Sequence, residues 1–153
     1  MTALDQFADL VGPAACLTDP HDIEPYSIDW RGNFNARPTA VVKPASTDEV
    51  AGVLRAAAAA DLAVVPAGGR TGLCGGAVAL ANGPASIVLS LERLNRIRDV
   101  DAQDFSIVAE AGCVVQAVQQ AAADAGRLFP IQWGAQGTAQ IGGMLSTNAG
   151  GIR

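Results

Sequence analysis

Lysine and histidine are almost missing from this sequence: Lys43 and His21 are single copies among 153 residues. Without lysine beside glycine, the Gly-Lys-Ser/Thr phosphate loop of nucleoside triphosphatases is excluded. With one histidine and no Cys-x-x-Cys pair, the common zinc ligand sets are excluded as well, and no metal is expected. None of the 17 glycines stands two residues from another, so the Gly-x-Gly core of the dinucleotide-binding Rossmann fingerprint is absent. The three cysteines, Cys16, Cys74 and Cys113, are odd in number and far apart, so they spell no disulfide framework. No apolar run approaches the roughly 18 residues that span a bilayer. The nearest, Val53 to Ala67, is interrupted by Arg55 and Asp61. The opening "MTALDQFADL" lacks a basic region followed by an apolar stretch, so no signal peptide is read, and a cytoplasmic location is the expectation. A net charge of −5 with nine scattered arginines also disfavours nucleic acid and anionic membranes as partners.

What is present is a globular composition, 50% hydrophobic and 16% charged, at a length that suits one domain. Leu4, Phe7, Ala8 and Val11 fall at helical spacing before Gly12-Pro13, which predicts a short amphipathic helix at residues 1–12. Residues 18–38 have no sustained period and predict an ordered loop studded with aromatics. "TAVVKP" predicts a strand. In "STDEVAGVLRAAAAADLAVVP", Ser46 and Glu49 form a capping box, and Val50, Val53, Leu54, Ala57 and Ala58 share a helical face. Ala63, Val64 and Val65 then predict a second strand stopped by Pro66. Strand–helix–strand units of this kind make parallel pairings. "ASIVLSLERL" and "DFSIVAEAG" predict further strands, and "CVVQAVQQAAADAG" a helix ended by Gly126. The cluster Arg93, Arg96, Arg98 predicts a solvated turn.

Two glycine-rich segments carry the chemistry. "VVPAGGRTGLCGGAV" places five glycines between residues 68 and 76, at the carboxyl end of the second strand. It is either a wide surface turn or a concave anion site built from successive main-chain N–H groups, which needs no lysine. Gly68, Gly69, Arg70, Thr71 and Gly72 offer five such donors, a hydroxyl and one cation. Gly69 is expected to need a backbone conformation that a branched side chain disfavours. The second segment, "GTAQIGGMLSTNAGG", adds hydroxyls at Thr138, Ser146 and Thr147 and an amide at Asn148 within an apparent loop. Because the chain ends inside it, the sequence is expected to be the amino-terminal part of a larger protein. Trp30 and Trp133 are expected to pack loops on the core, and Cys74 to be a small filler.

"RPTAVVKPASTDEVAGVLRAAAAADLAVVPAGGRTGLCGG" resembles the opening of the PCMH-type FAD-binding domain, that of the p-cresol methylhydroxylase and vanillyl-alcohol oxidase superfamily. With "PYSIDW" and "GAQGTAQIGGMLSTNAGG", the likeness narrows to the FAD-linked D-2-hydroxyacid dehydrogenases, a group that includes D-2-hydroxyglutarate and D-lactate dehydrogenases and the glycolate oxidase flavoprotein subunit. The resemblance implies an α+β fold, a mixed sheet with flanking helices, with residues 1–35 as lead-in and 36–153 as the amino-terminal part of the FAD domain. It implies that Pro66, Ala67, Gly68, Gly69, Arg70, Thr71 and Gly72 wrap the FAD diphosphate. It implies further that Gly134, Ala135, Gly137, Thr138, Ile141, Gly142 and Gly143 line the flavin and ribityl side, with Ser146, Thr147, Asn148 and Gly150 close behind. The first loop holds no histidine, so FAD is expected to be non-covalent. A 2-hydroxyacid substrate is implied, bound by a part of the enzyme that this chain does not supply, and no catalytic residue is assigned. The contrasting expectation is a non-catalytic nucleotide-binding module or an inactive fragment.

Overall fold

The structure is a computed structural model and describes residues 2–151. Helix α1 (Ala3–Val11) starts on a reciprocal cap between Thr2 and Asp5 and buries Phe7 and Val11. Helix α3 (Thr47–Ala59) is capped by Ser46, whose hydroxyl accepts from the Glu49 N–H. The return arm of the expected box is shifted by one residue, since the Glu49 carboxylate accepts from the N–H of Ala45. A Cβ at Gly52 would stand only 2.8 Å from Leu10 Cδ2, so the missing side chain there lets α1 lie against α3.

Strands β1 (Cys16–Leu17), β2 (Ala40–Val42), β3 (Ala63–Ala67) and β4 (Ser86–Ser90) form one sheet in the order β1-β2-β4-β3. β2 and β3 both run parallel to β4, and β1 is antiparallel to β2. The fold is α+β, a mixed sheet with flanking helices. Helix α3 therefore carries the chain from β2 to β3, across the position that β4 later fills. Successive residues of a strand face opposite sides, and the inner strands here bury both. Ala40, Val42, Ile87 and Leu89 pack with Phe7, Val11, Val53 and Ala57 on the side of α1 and α3. Val41, Val88 and Ala67 pack with Ile23 and Tyr26 on the other. Each fully buried valine or isoleucine of this set is worth roughly 1.5–3 kcal/mol.

The second face explains the segment read as an ordered loop. Residues 18–38 supply α2 (Pro20–Ile23), a 3₁₀ turn (Glu24–Tyr26) and a small hairpin closed by the Ile28–Asn35 bridge, and Ile23 and Tyr26 cover the sheet. Trp30 departs from expectation, being 74% exposed, whereas Trp133 packs against a third cluster centred on Val115, Ala139 and Met144. β3 also departs from expectation by running through Pro66 to Ala67. It lies at the sheet edge, where proline's missing N–H costs no ladder bond.

A two-stranded ribbon pairs β5 (Ile97–Asp101) with β6 (Ser106–Ala109). The expected solvated turn holds at Arg93, and all three arginines are exposed, but it does not extend to Arg98. Arg98 lies in β5, and Arg96 and Arg98 both close on Glu110, each guanidinium 2.9 Å from its Oε1. Arg96 N–H also donates to Glu110 Oε2 at 2.9 Å. The Glu110 side chain is 3% exposed. An alternation of arginine with apolar and acidic residues is a strand signal when the arginines share a carboxylate, and only tertiary structure supplies Glu110. Helix α4 (Val115–Asp124) then ends at Gly126, which takes the expected positive φ.

The hydrogen bonds of Arg96, from side chain and main chain, and of Arg98 hold the Glu110 carboxyl down to about 2, below its ordinary 4.5. A depressed carboxyl contributes stability above its unfolded pKa and loses it as pH falls through the folded one. Urea unfolding as a function of pH should therefore show stability falling between about pH 4.5 and 2. Glu110→Gln should be less stable at neutral pH and should flatten that stretch of the profile. An unchanged slope in the variant would show that other carboxyls govern acid unfolding.

Candidate cofactor site

The three parallel strands bring their carboxyl ends to one edge, the side on which open α/β sheets bind ligands. Lys43 follows β2, Gly68 follows β3, and Glu92 follows β4 by two residues. Glu92 is the hub of this edge. It pairs with Lys43 at 2.9 Å and accepts from Tyr26 Oη and Ser90 Oγ, each at 3.1 Å. Burial is the largest single influence and works against the Glu92 charge, but Lys43, Tyr26 and Ser90 together outweigh it and leave the carboxyl below its usual range.

Over this edge runs the first glycine loop. Among the described residues, the main-chain N–H groups of 68–77 find no backbone or side-chain acceptor; the next one, of Val78, donates to Gly75 O. The cation expected among the donors is directed elsewhere. The Arg70 guanidinium lies 4.2 Å from the Tyr26 ring centre and donates to Pro25 O, pinning the loop to the lead-in segment. Arg70, with φ +54°, also holds the left-handed conformation that was expected of Gly69. Cys74 lies exposed in the same loop rather than filling a gap.

Gly69 is glycine for a different reason. A Cβ there would overlap the carbonyl oxygen of Thr138 and crowd the Cα of Ala139 at 3.0 Å. Seventy residues apart in sequence, the two glycine segments thus touch backbone to backbone. Gly68 faces the neighbouring Gln140, whose Oε1 would stand 3.2 Å from a Cβ at that position. Gln140 was not among the residues singled out from the sequence. Its only signal there was its place between Thr138 and Ile141.

The second segment differs from the first in that about half of its main-chain donors already have acceptors within the chain. What was expected to be loop contains helix α5 (Ile141–Ser146), in spite of Gly142 and Gly143. The first N–H groups of α5, from Ile141 and Gly142, donate to Cys113 O and Ala111 O at 2.9 and 2.8 Å. Reciprocally, Val115 and Gln116, which open α4, donate to Ala139 O and Gln136 O. Thr138 donates its N–H to Ala135 O, Ser146 its hydroxyl to Gly142 O, and Thr147 its hydroxyl to Gly143 O. Helix–helix capping of this kind fixes the backbone, and the sequence offered no side-chain caps to announce it. At 1.5 Å per residue α5 is about 9 Å long. Ser146, Thr147, Asn148 (φ +51°) and Gly150 consequently sit at its far end from Gln140.

The glycines separate into two sets. At Gly69, Gly112, Gly142 and Gly151 a Cβ would strike protein backbone. At Gly72, Gly76, Gly134, Gly143 and Gly150 it would meet nothing within 4 Å, and none of these five has a positive φ. Among the described residues, neither a contact nor a positive φ requires those five to be glycine, whereas a group lying against them would. Open glycines beside a row of unpaired N–H groups suit an acceptor-rich, bulky ligand such as a dinucleotide diphosphate. Among the described residues, no three His, Cys, Asp or Glu side chains converge to hold a metal ion. An open cleft of about 510 Å³ near His21 and Arg37 is lined by neither loop.

Residues 38–153 match the family model described as an FAD binding domain. The chain belongs to this FAD-binding domain family. Its cofactor is FAD, and the site's donors and open glycines fit it. The D-2-hydroxyglutarate dehydrogenase of Xanthomonas citri pv. viticola is 48% identical over 136 residues, which make up 89% of this chain and 28% of that protein. That of Stutzerimonas stutzeri is 40% identical over 150 residues, 98% of this chain and 32% of that protein. The mitochondrial D-2-hydroxyglutarate dehydrogenase of Bos taurus is 36% identical over 143 residues, 94% of this chain and 26% of that protein. The chain thus spans about a third or less of the length of these curated relatives. One of the three carries a mitochondrial location in its name, and among the described residues no helix is long and apolar enough to cross a membrane. Among solved structures, alkyldihydroxyacetonephosphate synthase superposes at TM-score 0.84 with 16% identity, covering 94% of this chain and 28% of that one. p-Cresol methylhydroxylase does so at 0.69 with 17% identity, covering 89% and 27%. This is the PCMH-type FAD-binding fold.

The two glycine sets should respond differently to alanine. Gly69→Ala forces the loops apart and should cost about 1–3 kcal/mol, the range for overpacking a tight site. Gly72→Ala should stay within about 0.5 kcal/mol, as surface changes do. Urea titration of the two variants checks this, and equal losses would contradict the division.

Proposed function

We propose that this chain is the FAD-holding part of a flavin-linked dehydrogenase that oxidises a D-2-hydroxyacid to the 2-oxoacid, with D-2-hydroxyglutarate the first substrate to test. The reading rests on one observation above the others. Two glycine segments meet at Gly69 and Thr138, beside unpaired donors, in a chain 48% identical to a D-2-hydroxyglutarate dehydrogenase. When bound, FAD supplies a two-electron acceptor for the hydrogen on the substrate's carbinol carbon.

In this reading Pro66 and Ala67 end the strand that delivers the first loop. The N–H groups of Gly68, Gly69, Arg70, Thr71 and Gly72 donate to the diphosphate, and the Thr71 hydroxyl adds one more donor. Gly134, Ala135, Gly137, Thr138, Ile141, Gly142 and Gly143 form the rigid wall opposite. Ser146, Thr147, Asn148 and Gly150 follow at the end of α5. Residues 1–35 act as lead-in, and 36–153 as the FAD-binding part. FAD is held without a covalent bond, because the first loop offers no histidine to carry one. The substrate is gripped by parts of the enzyme outside this chain, which supplies no acid or base for the chemical step. A second reading, a nucleotide-binding module or fragment without catalysis, draws on the share of the relatives' length that the chain spans, 28% and 32%.

Gly143 tests the site. A Cβ there points into open space, and the residue lies inside α5. Gly143→Ala should leave the apoprotein as stable or stabilise it by up to about 1 kcal/mol through helix propensity. The same change should weaken FAD binding measured by flavin fluorescence. The complete gene product should carry visible flavin absorption that D-2-hydroxyglutarate bleaches without oxygen and that acid precipitation releases into the supernatant. Flavin that stays with the precipitate would refute non-covalent attachment. A flavin that no 2-hydroxyacid bleaches would favour the second reading.

A further inference from the structure

One polar side chain at the seam between the loops remains unused by everything above. Gln140 is 8% exposed, and its Oε1 is the buried side-chain oxygen that lacks any hydrogen-bond partner among the described residues. Its Nε2 takes part in no hydrogen bond there either. The residue is otherwise firmly held. Its main chain bridges to Val114, and the flanking groups are fixed by the bonds from Val115 N–H to Ala139 O and from Ile141 N–H to Cys113 O. From this fixed base the side chain reaches the first loop, with Oε1 3.2 Å and Cβ 3.4 Å from where a Gly68 Cβ would be.

Buried amides without partners are rare, because desolvating the group without a replacement bond is costly. A leucine or methionine would fill the same volume without that cost. The amide therefore makes sense where a ligand completes it. Resting on the FAD reading, we propose that Gln140 is a further cofactor-contacting residue, its amide hydrogen-bonding the polar bridge of FAD where the two glycine loops meet. That bridge offers both complements the amide needs: phosphate oxygens to accept from Nε2–H, and sugar or ribityl hydroxyls to donate to Oε1. A glutamine can meet both kinds of atom at once. A lysine could only donate, and could not accept from a hydroxyl.

The test compares apoprotein stability with cofactor affinity in the complete gene product. Gln140→Met keeps the length of the side chain and removes the amide. It should leave the apoprotein's Tm unchanged or raised, since an orphaned acceptor is gone, while the Kd for FAD rises about tenfold by fluorescence titration. Gln140→Glu keeps the shape and replaces the donor end with a second acceptor bearing charge. It should weaken FAD further at neutral pH and recover part of that loss as the pH is lowered to protonate the carboxyl. Wild-type affinity in Gln140→Met would overturn the proposal and leave the FAD site standing. A large fall in the Tm of both apoprotein variants would overturn it too, by making Gln140 a structural strut. If the unaltered protein takes up no FAD, the cofactor reading itself fails, and this proposal with it.

Discussion

The contact between Gly69 and the Thr138 carbonyl is the constraint on which the site depends. One partner belongs to the loop after an edge strand, the other to a turn that leads into a helix more than 70 residues later. Each segment alone reads as a surface turn. Joined, they set a loop with free N–H groups against a segment of fixed backbone. Two further contacts hold that segment in place. Gly112 lies against the Leu91 carbonyl at the end of β4, and Gly142 against Ala111. The position of the second loop is thereby referred back to the same strand ends that launch the first.

The cations contribute to this arrangement as staples. Arg70 is committed to Tyr26 and Pro25, Arg93 to the carbonyls of Lys43 and Val11, and Arg96 and Arg98 to Glu110. Arg127 closes on the Phe105 ring and Ala102 O. Each ties together segments distant in sequence, and each is drawn away from the loop donors. Lys43 is paired with Glu92. With Arg70 and Lys43 engaged elsewhere, the donors that the first loop leaves free are its uncharged peptide N–H groups.

Much of this was legible in the sequence, and the limits have physical causes. Period-3.6 patterns located α1, α3 and α4, and short apolar, β-branched runs the inner strands, because burial writes itself into local sequence. The parallel pairing followed from strand–helix–strand order, although the insertion of β4 between β2 and β3 could not be read from a single unit. α5 was hidden because its two glycines argue against a helix and its caps are carbonyls of residues 111 and 113. β5 was hidden because its partner contacts are not local: Arg98 within it and Arg96 just before it meet Glu110 only in the folded ribbon, while both stay exposed. The glycine motifs showed that close approaches would occur, but not which ones. Gly69 meets protein, whereas Gly143 and Gly72 meet open space. Gln140 looked like an ordinary polar residue in a loop, since burial without a partner is a property of the folded seam alone.

In the reading proposed above, the binding set consists of peptide N–H groups, hydroxyls and an uncharged amide. None of these groups titrates near neutrality, so in that reading the grip on the cofactor would not vary with pH through the site's own donors. Peptide dipoles held by the fold also need no reorganisation when a phosphate arrives, unlike a lysine on a flexible stem. The ionisable groups nearest the strand ends, Lys43 and Glu92, are paired with one another beneath Tyr26, and Arg70 stacks on the same ring. The lead-in segment therefore acts on both levels. It completes the core on the second face of the sheet through Ile23 and Tyr26, and through Tyr26 and Pro25 it restrains the loop whose N–H groups lack acceptors. Loss of that segment would remove both contacts of the Arg70 side chain, with Tyr26 and with Pro25, even with every glycine intact.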